Sequence, residues 1–279
     1  MKELEKIFAT SPKFPDCLSV SIGLCGDNLS EMKFSCRGRL GNINGYLVWG
    51  SYSNQRTEFA CHCLVNACKK YSPNELRVSI YDTIGGEQLL ACGSQLPHVK
   101  KAVHFDSFES LLSKTVLFDK RFTERLNRIT SLGEQCFVRA ARNPDINREL
   151  NMAQELIFFN TATVRPFEKY QLTHESDYFF HLVTQCFWRV GVYPVFISND
   201  GFSVCYHNYE YFFPNEIVFG PNITHYKTRQ EIGVNQVLNY TGWDSWDFLA
   251  QREEIVDLPN FPDEWIEKTV KEIQDIHRQ

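Results

Sequence analysis

Gly45-Tyr46-Leu47-Val48-Trp49-Gly50-Ser51-Tyr52-Ser53-Asn54-Gln55-Arg56-Thr57-Glu58-Phe59 holds three local patterns in one short span. Tyr46–Trp49 is an unbroken apolar run ended by Gly50, as a buried strand would be. Ser51–Thr57 is polar and predicts a loop. Glu58–Tyr71 then sets Ala60, Leu64, Ala67 and Tyr71 on one helical face. A buried strand, a polar loop and a helix in this order place a turn at the carboxyl end of a strand, where α/β proteins bind ligands.

The same alternation continues outward. Ser19–Leu24 and Met32–Cys36 read as short strands around a Gly26-Asp27-Asn28 turn. Ser72-Pro73-Asn74 breaks the first helix, Leu76–Tyr81 is a strand with Asp82 at its end, and Gly85-Gly86 turns the chain. Leu111, Thr115, Phe118, Phe122, Leu126 and Ile129 predict one long helix over 106–130. Asn143–Arg148 is a loop or a short helix. Leu156–Phe159 is a buried strand ending at Asn160, and Phe179, Val183, Cys186 and Val190 stripe a helix that stops near Gly191. Pro194–Ile197 and Glu216–Phe219 are further strands, and Pro262–His277 is an amphipathic helix. The pattern predicts one α/β domain over residues 1–279 with a mostly parallel sheet, 1–17 being an N-terminal extension and 262–279 a C-terminal helix. The strand ends that would frame a site are Gly50, Asp82, Asn160 and Ser198.

Composition limits the function classes. With 279 residues, Lys+Arg 29 against Asp+Glu 34 and a net charge of -5, the chain lacks the basic excess of a general nucleic-acid binder. Its apolar runs are far shorter than the ~20 residues of a membrane helix, and the charged start Met1–Lys6 is no secretory signal. Aromatic residues make up 14%, including 22 Phe, which predicts a well-filled core and an aromatic contact face. The 10 cysteines, at 17, 25, 36, 61, 63, 68, 92, 136, 186 and 205, read first as reduced, buried thiols. A metal at Cys61-His62-Cys63 with Cys68 and a disulfide framework are the lesser readings.

Several landmarks in order resemble the FtsK/SpoIIIE/HerA group of P-loop motor ATPases, and most of all the tandem ATPase domains of EssC, the type VII secretion motor. Leu18–Leu24 resembles the leader strand, and Gly45–Gly50 with Thr57-Glu58-Phe59 resembles the P-loop strand, loop start and helix start. Tyr71–Leu76, Asp82, Gly85-Gly86 and Leu96-Pro97-His98-Val99 follow in family order. So do Gly191-Val192-Tyr193, Ser198-Asn199 and Asn215–Phe219. The resemblance runs from about Leu18 to Phe261 and implies a RecA-like P-loop fold.

The departures concern the chemistry. The family's P-loop reads Gly-x-x-Gly-x-Gly-Lys-Ser/Thr. Here Gly50 and Thr57 stand, but Ser53, Gln55 and Arg56 take the places of Gly, Gly and Lys. Glycines let backbone N–H groups wrap phosphates, and Arg is not a neutral exchange for the compact lysine charge. The Asp-Glu pair is replaced by Asn160-Thr161, neither of which is a general base near neutral pH. Asn199 stands for the Gln that senses the γ-phosphate, and the family's Arg falls on Trp188 with Arg189 one place off. The residues therefore predict a degenerate nucleotide pocket at Gly50, Ser51, Asn54, Gln55, Arg56, Thr57, Asn160, Thr161 and Asn199, with no catalytic residue and no metal site. No cofactor is expected, with weak ATP–magnesium binding left open.

Other residues carry two readings each. Arg56 is a residual phosphate contact or a surface or inter-subunit charge. Asp82 is a helper at an occupied site or a strand-end turn carboxylate, and His98 most simply orders a loop. Lys120, Arg121, Arg125 and Arg128, interleaved with Asp119 and Glu124, form a solvated salt-bridged face or a contact for DNA or a neighbouring subunit. Tyr206, Tyr209, Tyr211, Phe212 and Phe213, with His207, are core or a partner-binding surface. The resemblance implies a pseudo-ATPase module of a cytoplasmic secretion motor. Its partners would be other motor subunits, including further copies, or a secreted protein; DNA is the lesser partner, and membrane contact would come only through a larger complex. An atypical active ATPase of DNA or conjugative transfer is the alternative.

Overall fold

The computed structural model describes residues 19–21, 31–33, 45–51, 53–83, 88–161, 178–198, 215–221, 223–224, 231–234, 236–241, 252–257 and 263–278. The sequence expectations for residues 1–17, Gly85-Gly86, Asn199 and 206–213 lie outside these. Two short strands, β1 (Ser19–Ser21) and β2 (Glu31–Lys33), pair antiparallel. The body of the protein is an 8-stranded sheet. Its strands are β3 (Tyr46–Gly50), β4 (Leu76–Thr83), β5 (Val99–Phe105), β6 (Gln154–Asn160), β7 (Val192–Ile197), β8 (Asn215–Phe219), β11 (Gln236–Thr241) and β12 (Arg252–Asp257). Spatially they run β12-β11-β8-β3-β7-β6-β4-β5. From β8 through β5 every neighbouring pair is parallel, and β11 is antiparallel to both of its neighbours. A small antiparallel pair, β9 (Ile223–Thr224) and β10 (Glu231–Ile232), sits beyond β8.

Strand alternation divides the core into two layers. On one face Tyr46, Val48, Ile80, Phe158, Val195 and Phe219 meet α1 (Ser53–Lys70), α2 (Gln88–Gly93) and the C-terminal α8 (Asp263–Arg278). On the other, Leu47, Tyr81, Phe159, Phe196 and Val218 meet α3 (Phe108–Thr115), α4 (Phe118–Ser131), α5 (Phe137–Arg142) and α7 (His181–Val190). The second layer absorbs much of the aromatic excess. Phe159 stacks on Phe196 and Tyr81, Phe108 on Phe180 and Phe118 on Phe179.

Several sequence expectations are corrected. Of the leader strands only Ser19–Ser21 and Glu31–Lys33 are among the described residues, and their expected continuation to Leu24 and Cys36 lies outside these. The single helix over 106–130 is two helices, capped by the Ser107 side chain at one end of α3 and broken at Val116-Leu117. The apolar stripe survives the break, because Leu111, Thr115, Phe118 and Ile129 are all buried while Val116 and Leu117 are exposed. Helix α6 (Pro144–Leu150) has Pro at its start, and the Asn143 side chain accepts from the Asp145 and Ile146 N–H groups. In α7 a π turn over His181–Cys186 passes into a 3-10 turn over Phe187–Val190. The wider turn buries Phe187 rather than Cys186.

Candidate functional site

The parallel strands aim their carboxyl ends at one rim. There Gly50, Asp82, Asn160 and Ser198 close β3, β4, β6 and β7. Each is held by main-chain pairing. Ser51 N–H donates to the Phe219 carbonyl at 3.1 Å, and Ser198 N–H to that of Val48 at 2.8 Å. The Ser51 hydroxyl donates to the Pro221 carbonyl at 3.0 Å. Gly50 has φ +121°, and a Cβ there would lie 2.3 Å from the Phe219 carbonyl oxygen. Glycine is a steric requirement of this strand end.

The loop expected over Ser51–Thr57 is mostly helix. α1 begins at Ser53, which leaves only residues 51 and 52 after β3. Without glycine at 53 and 55 nothing favours a positive-φ cradle. Ser is well placed at a helix start, and Gln and Arg propagate helix. Asn54 is exposed, Gln55 half-buried and Thr57 buried. Arg56 is 2% exposed, which corrects the reading of a surface or inter-subunit charge. Its guanidinium folds back and donates to the Gly50 carbonyl. Burial lowers its pKa to about 10, so it stays charged at neutral pH. A cation in the first turn opposes the helix dipole, and the Gly50 carbonyl offsets that. The loop that would wrap phosphates is thus shortened and crossed by the protein's own side chain.

The neighbouring strand ends are equally committed. Asn160 Nδ2 donates to Asp82 Oδ1 at 2.7 Å, and Thr83 N–H to the same oxygen at 2.9 Å. Leu90 N–H, from α2, donates to Asp82 Oδ2 at 3.3 Å. Asp82 is 0% exposed, and desolvation lifts its pKa to about 6 despite these donors. It is a buried node that joins β4, β6 and α2, more than a turn carboxylate at the surface. Thr161 sends both its hydroxyl and its N–H to the Ile197 carbonyl, each at 2.8 Å, which ties β6 to β7.

Other candidate residues fall elsewhere. Of the basic helix face, only Lys120 pairs with Glu124 at the surface, at 3.9 Å. Arg121 bonds the buried Glu155, which also accepts from the Ser79 hydroxyl at 2.7 Å. Arg125 donates to the Val190 and Ala153 carbonyls, and Arg128 to those of Leu150 and Glu149. These three arginines pin α4 to the opposite, amino end of β6. Their spacing could not reveal this, because the acceptors, the Glu155 carboxylate and backbone carbonyls, lie far along the chain. His98 Nε2 donates to the Tyr71 carbonyl at 2.6 Å and so fixes the exit of α1. Trp188 packs against the α1-side core and Arg189 is exposed. Cys63 and Cys68 lie in the core and His62 faces Trp265. Among the described residues no three His, Cys, Asp or Glu side chains form a metal-binding group.

No family model and no curated protein matches the chain in sequence. Solved structures match its fold. EssC (ATPases 2 and 3) from Geobacillus thermodenitrificans aligns over 96% of this chain and 51% of its own, with a TM-score of 0.66 at 13% identity. Thermomonospora curvata EccC (ATPases 2 and 3), in complex with a signal sequence peptide, aligns over 91% of this chain and 43% of its own, with 0.54 at 10%. The pCW3 conjugation coupling protein TcpA, a monomer form with ATPγS, aligns over 94% of this chain and 72% of its own, with 0.60 at 11%. The chain spans about half the length of the EssC structure. It has the RecA-like α/β fold of these FtsK/SpoIIIE-type motor ATPase domains, the same proteins whose landmarks its sequence resembles.

Proposed function

We propose that this chain is a pseudo-ATPase module of an FtsK/SpoIIIE-like motor, of the EssC type found in type VII secretion. It serves recognition, regulation or assembly rather than nucleotide turnover. One observation carries the reading: Arg56 turns inward onto the Gly50 carbonyl in a loop that is already helical from Ser53. The positions of the acidic pair support it, since Asn160 and Thr161 have no carboxylate and spend their polar groups on Asp82 and Ile197. As a single domain it would work beside active motor domains, on the cytosolic side of a membrane-bound complex. Among the described residues no helix is long and apolar enough to cross a membrane. The signal-peptide complex of EccC favours a secreted protein as partner. Tyr206, Tyr209, Tyr211, Phe212 and Phe213 are the proposed contact segment.

Calorimetric titration with ATP and magnesium tests the proposal. No heat up to millimolar nucleotide is the expected result, and micromolar binding, about -8 kcal/mol, would overturn it. The combined change Gln55→Gly, Arg56→Lys, Asn160→Asp and Thr161→Glu should create or strengthen binding. No gain would count against the P-loop correspondence itself. A second reading, an atypical ATPase of conjugative transfer, draws on the likeness to TcpA with its bound ATPγS and on the retained cation and hydroxyl of Arg56-Thr57. It requires turnover, which a phosphate-release assay would detect. For the contact segment, unchanged partner recovery after alanine substitution of the five aromatics would return them to the core.

A further inference from the structure

A cluster of charge lies on the face of the sheet covered by α3 and α4. The register of β5 on β4 shifts between Val78 and Ser79, and the extra residue sets Lys101 rather than Lys100 beside Ser79. Lys101 Nζ lies over the Tyr81 ring, 4.9 Å from its centre, and donates to the Lys114 carbonyl at 3.1 Å. Arg121 of α4 spends Nη2 on Glu155, whose other oxygen accepts from Ser79. Its Nη1 and Nε have no acceptor among the described residues. Arg125, one turn further on, is held by the Val190 and Ala153 carbonyls. Glu155 is the one carboxylate among the described residues that acts on Lys101 and Arg125. Three formal positive charges, on Lys101, Arg121 and Arg125, thus face one negative charge. Beneath them Tyr81 is 0% exposed, and its hydroxyl has no hydrogen-bond partner among the described residues. A buried donor without an acceptor is costly, and the charges of Arg121 and Glu155 both reach this one.

We infer that Tyr81, Lys101 and Arg121 form a site for a doubly charged tetrahedral oxyanion, inorganic phosphate or a phosphomonoester. The site is separate from the nucleotide pocket, since Tyr81 and Asp82 project to opposite faces of β4. Each group supplies a different element of recognition. The free edge of the Arg121 guanidinium presents Nη1 and Nε as a planar fork, Lys101 is a compact positive charge, and the Tyr81 hydroxyl is a donor that lacks an acceptor. Glu155 holds the Arg121 fork in place through Nη2. A phosphomonoester carries about -2 charge near neutral pH, which matches the excess around Glu155. Chloride or a single carboxylate would leave half of it. Burial, and then the Arg121 charge, lower the pKa of Lys101, and a dianion beside both cations opposes that repulsion.

Thermal melting and calorimetric titration of the intact chain test this, with sodium phosphate against sodium chloride at matched ionic strength so that general screening cancels. Phosphate should raise the wild-type melting temperature above that in chloride. Tyr81→Phe keeps the ring and should melt in chloride at the wild-type temperature or above, because the lost hydroxyl had no partner. It should bind phosphate about tenfold more weakly, the loss of one hydrogen bond to a charged group. Lys101→Gln should weaken binding at least as much. A phosphoserine peptide in place of inorganic phosphate separates the sources: tighter binding assigns the site to a phosphorylated partner, and equal binding to the free ion. Three results would overturn the inference. One is no rise over chloride in the wild type. Another is an equal rise in the wild type and both variants, which would put the ion elsewhere, the nucleotide rim included. The last is a Tyr81→Phe protein less stable than wild type in chloride, since the hydroxyl would then already be bonded. A filled nucleotide pocket, by contrast, would bind ATP equally well in all three proteins.

Discussion

At the residue scale the rim of the sheet depends on two side chains, one absent and one folded back. Gly50 carries no Cβ because its φ is +121° and the Phe219 carbonyl fills the place of one. Gly50→Ala should therefore cost at least about 3 kcal/mol, strain of 1–3 kcal/mol being only part of it. Gly133 is the control: its φ is +80° but a Cβ would meet nothing within 4 Å. Gly133→Ala should cost only ~1–2 kcal/mol. Urea denaturation of both variants separates the two, and equal losses would mean that Phe219 yields at no cost. The identities of Gln55, Arg56, Asn160 and Thr161 made the altered pocket readable in sequence, since the chemistry lost is a property of the residue type. The course of Arg56 was not readable. A long side chain in a loop reaches outward, whereas the same side chain in the first turn of a helix that starts at Ser53 reaches back to Gly50.

At the element scale, strands buried on both faces were legible as apolar runs, and β3, β6, β7 and β8 lie where those runs fall. β5 was missed. It is an edge strand with every second residue exposed and two lysines in sequence, so no apolar run marks it. The stripe of α3 and α4 was legible but its break was not, because periodicity registers which face is buried and not whether the axis bends. Helix α4 also shows why charge pattern alone misleads. Lys120 and Arg121 are adjacent, yet one pairs at the surface and the other with Glu155, which is 1% exposed. Removing Arg121 leaves Glu155 with the Ser79 hydroxyl alone among the partners described above. Arg121→Ala should cost about 3 kcal/mol, as when a buried charge loses its partner. Lys120→Ala should change stability by less than about 0.5 kcal/mol. Similar midpoints for the two variants in urea would show that Glu155 is relieved another way.

At the scale of the whole molecule, α1 is the shared wall of two buried groups whose titrations oppose each other. His62 lies between α1 and α8, 0% exposed, with Asn66 at 2.8 Å and the Trp265 ring at 4.5 Å. Burial lowers its pKa from 6.5 to about 4. Its stabilising contribution is complete above pH 6.5 and is lost as pH falls toward 4. Asp82, on the same side of the sheet, is raised from 3.8 to about 6, and the charge of His104 pulls only weakly the other way. Its contribution is complete below pH 3.8 and is lost as pH rises through 6. Each shift corresponds to about 3 kcal/mol, so the two slopes nearly cancel between pH 4 and 6. His98, buried on the Tyr71 carbonyl and also lowered by burial, adds to the His62 slope. The wild-type melting temperature should therefore change little from pH 6 to 4, with a shallow fall at the acid end. Asp82→Asn removes one slope and should expose a steep loss of stability on acidification. His62→Gln removes the other and should make the protein more stable toward pH 4. Parallel pH profiles in all three proteins would mean that neither group titrates in this window and that the burial of both is relieved by solvent at the helix contacts.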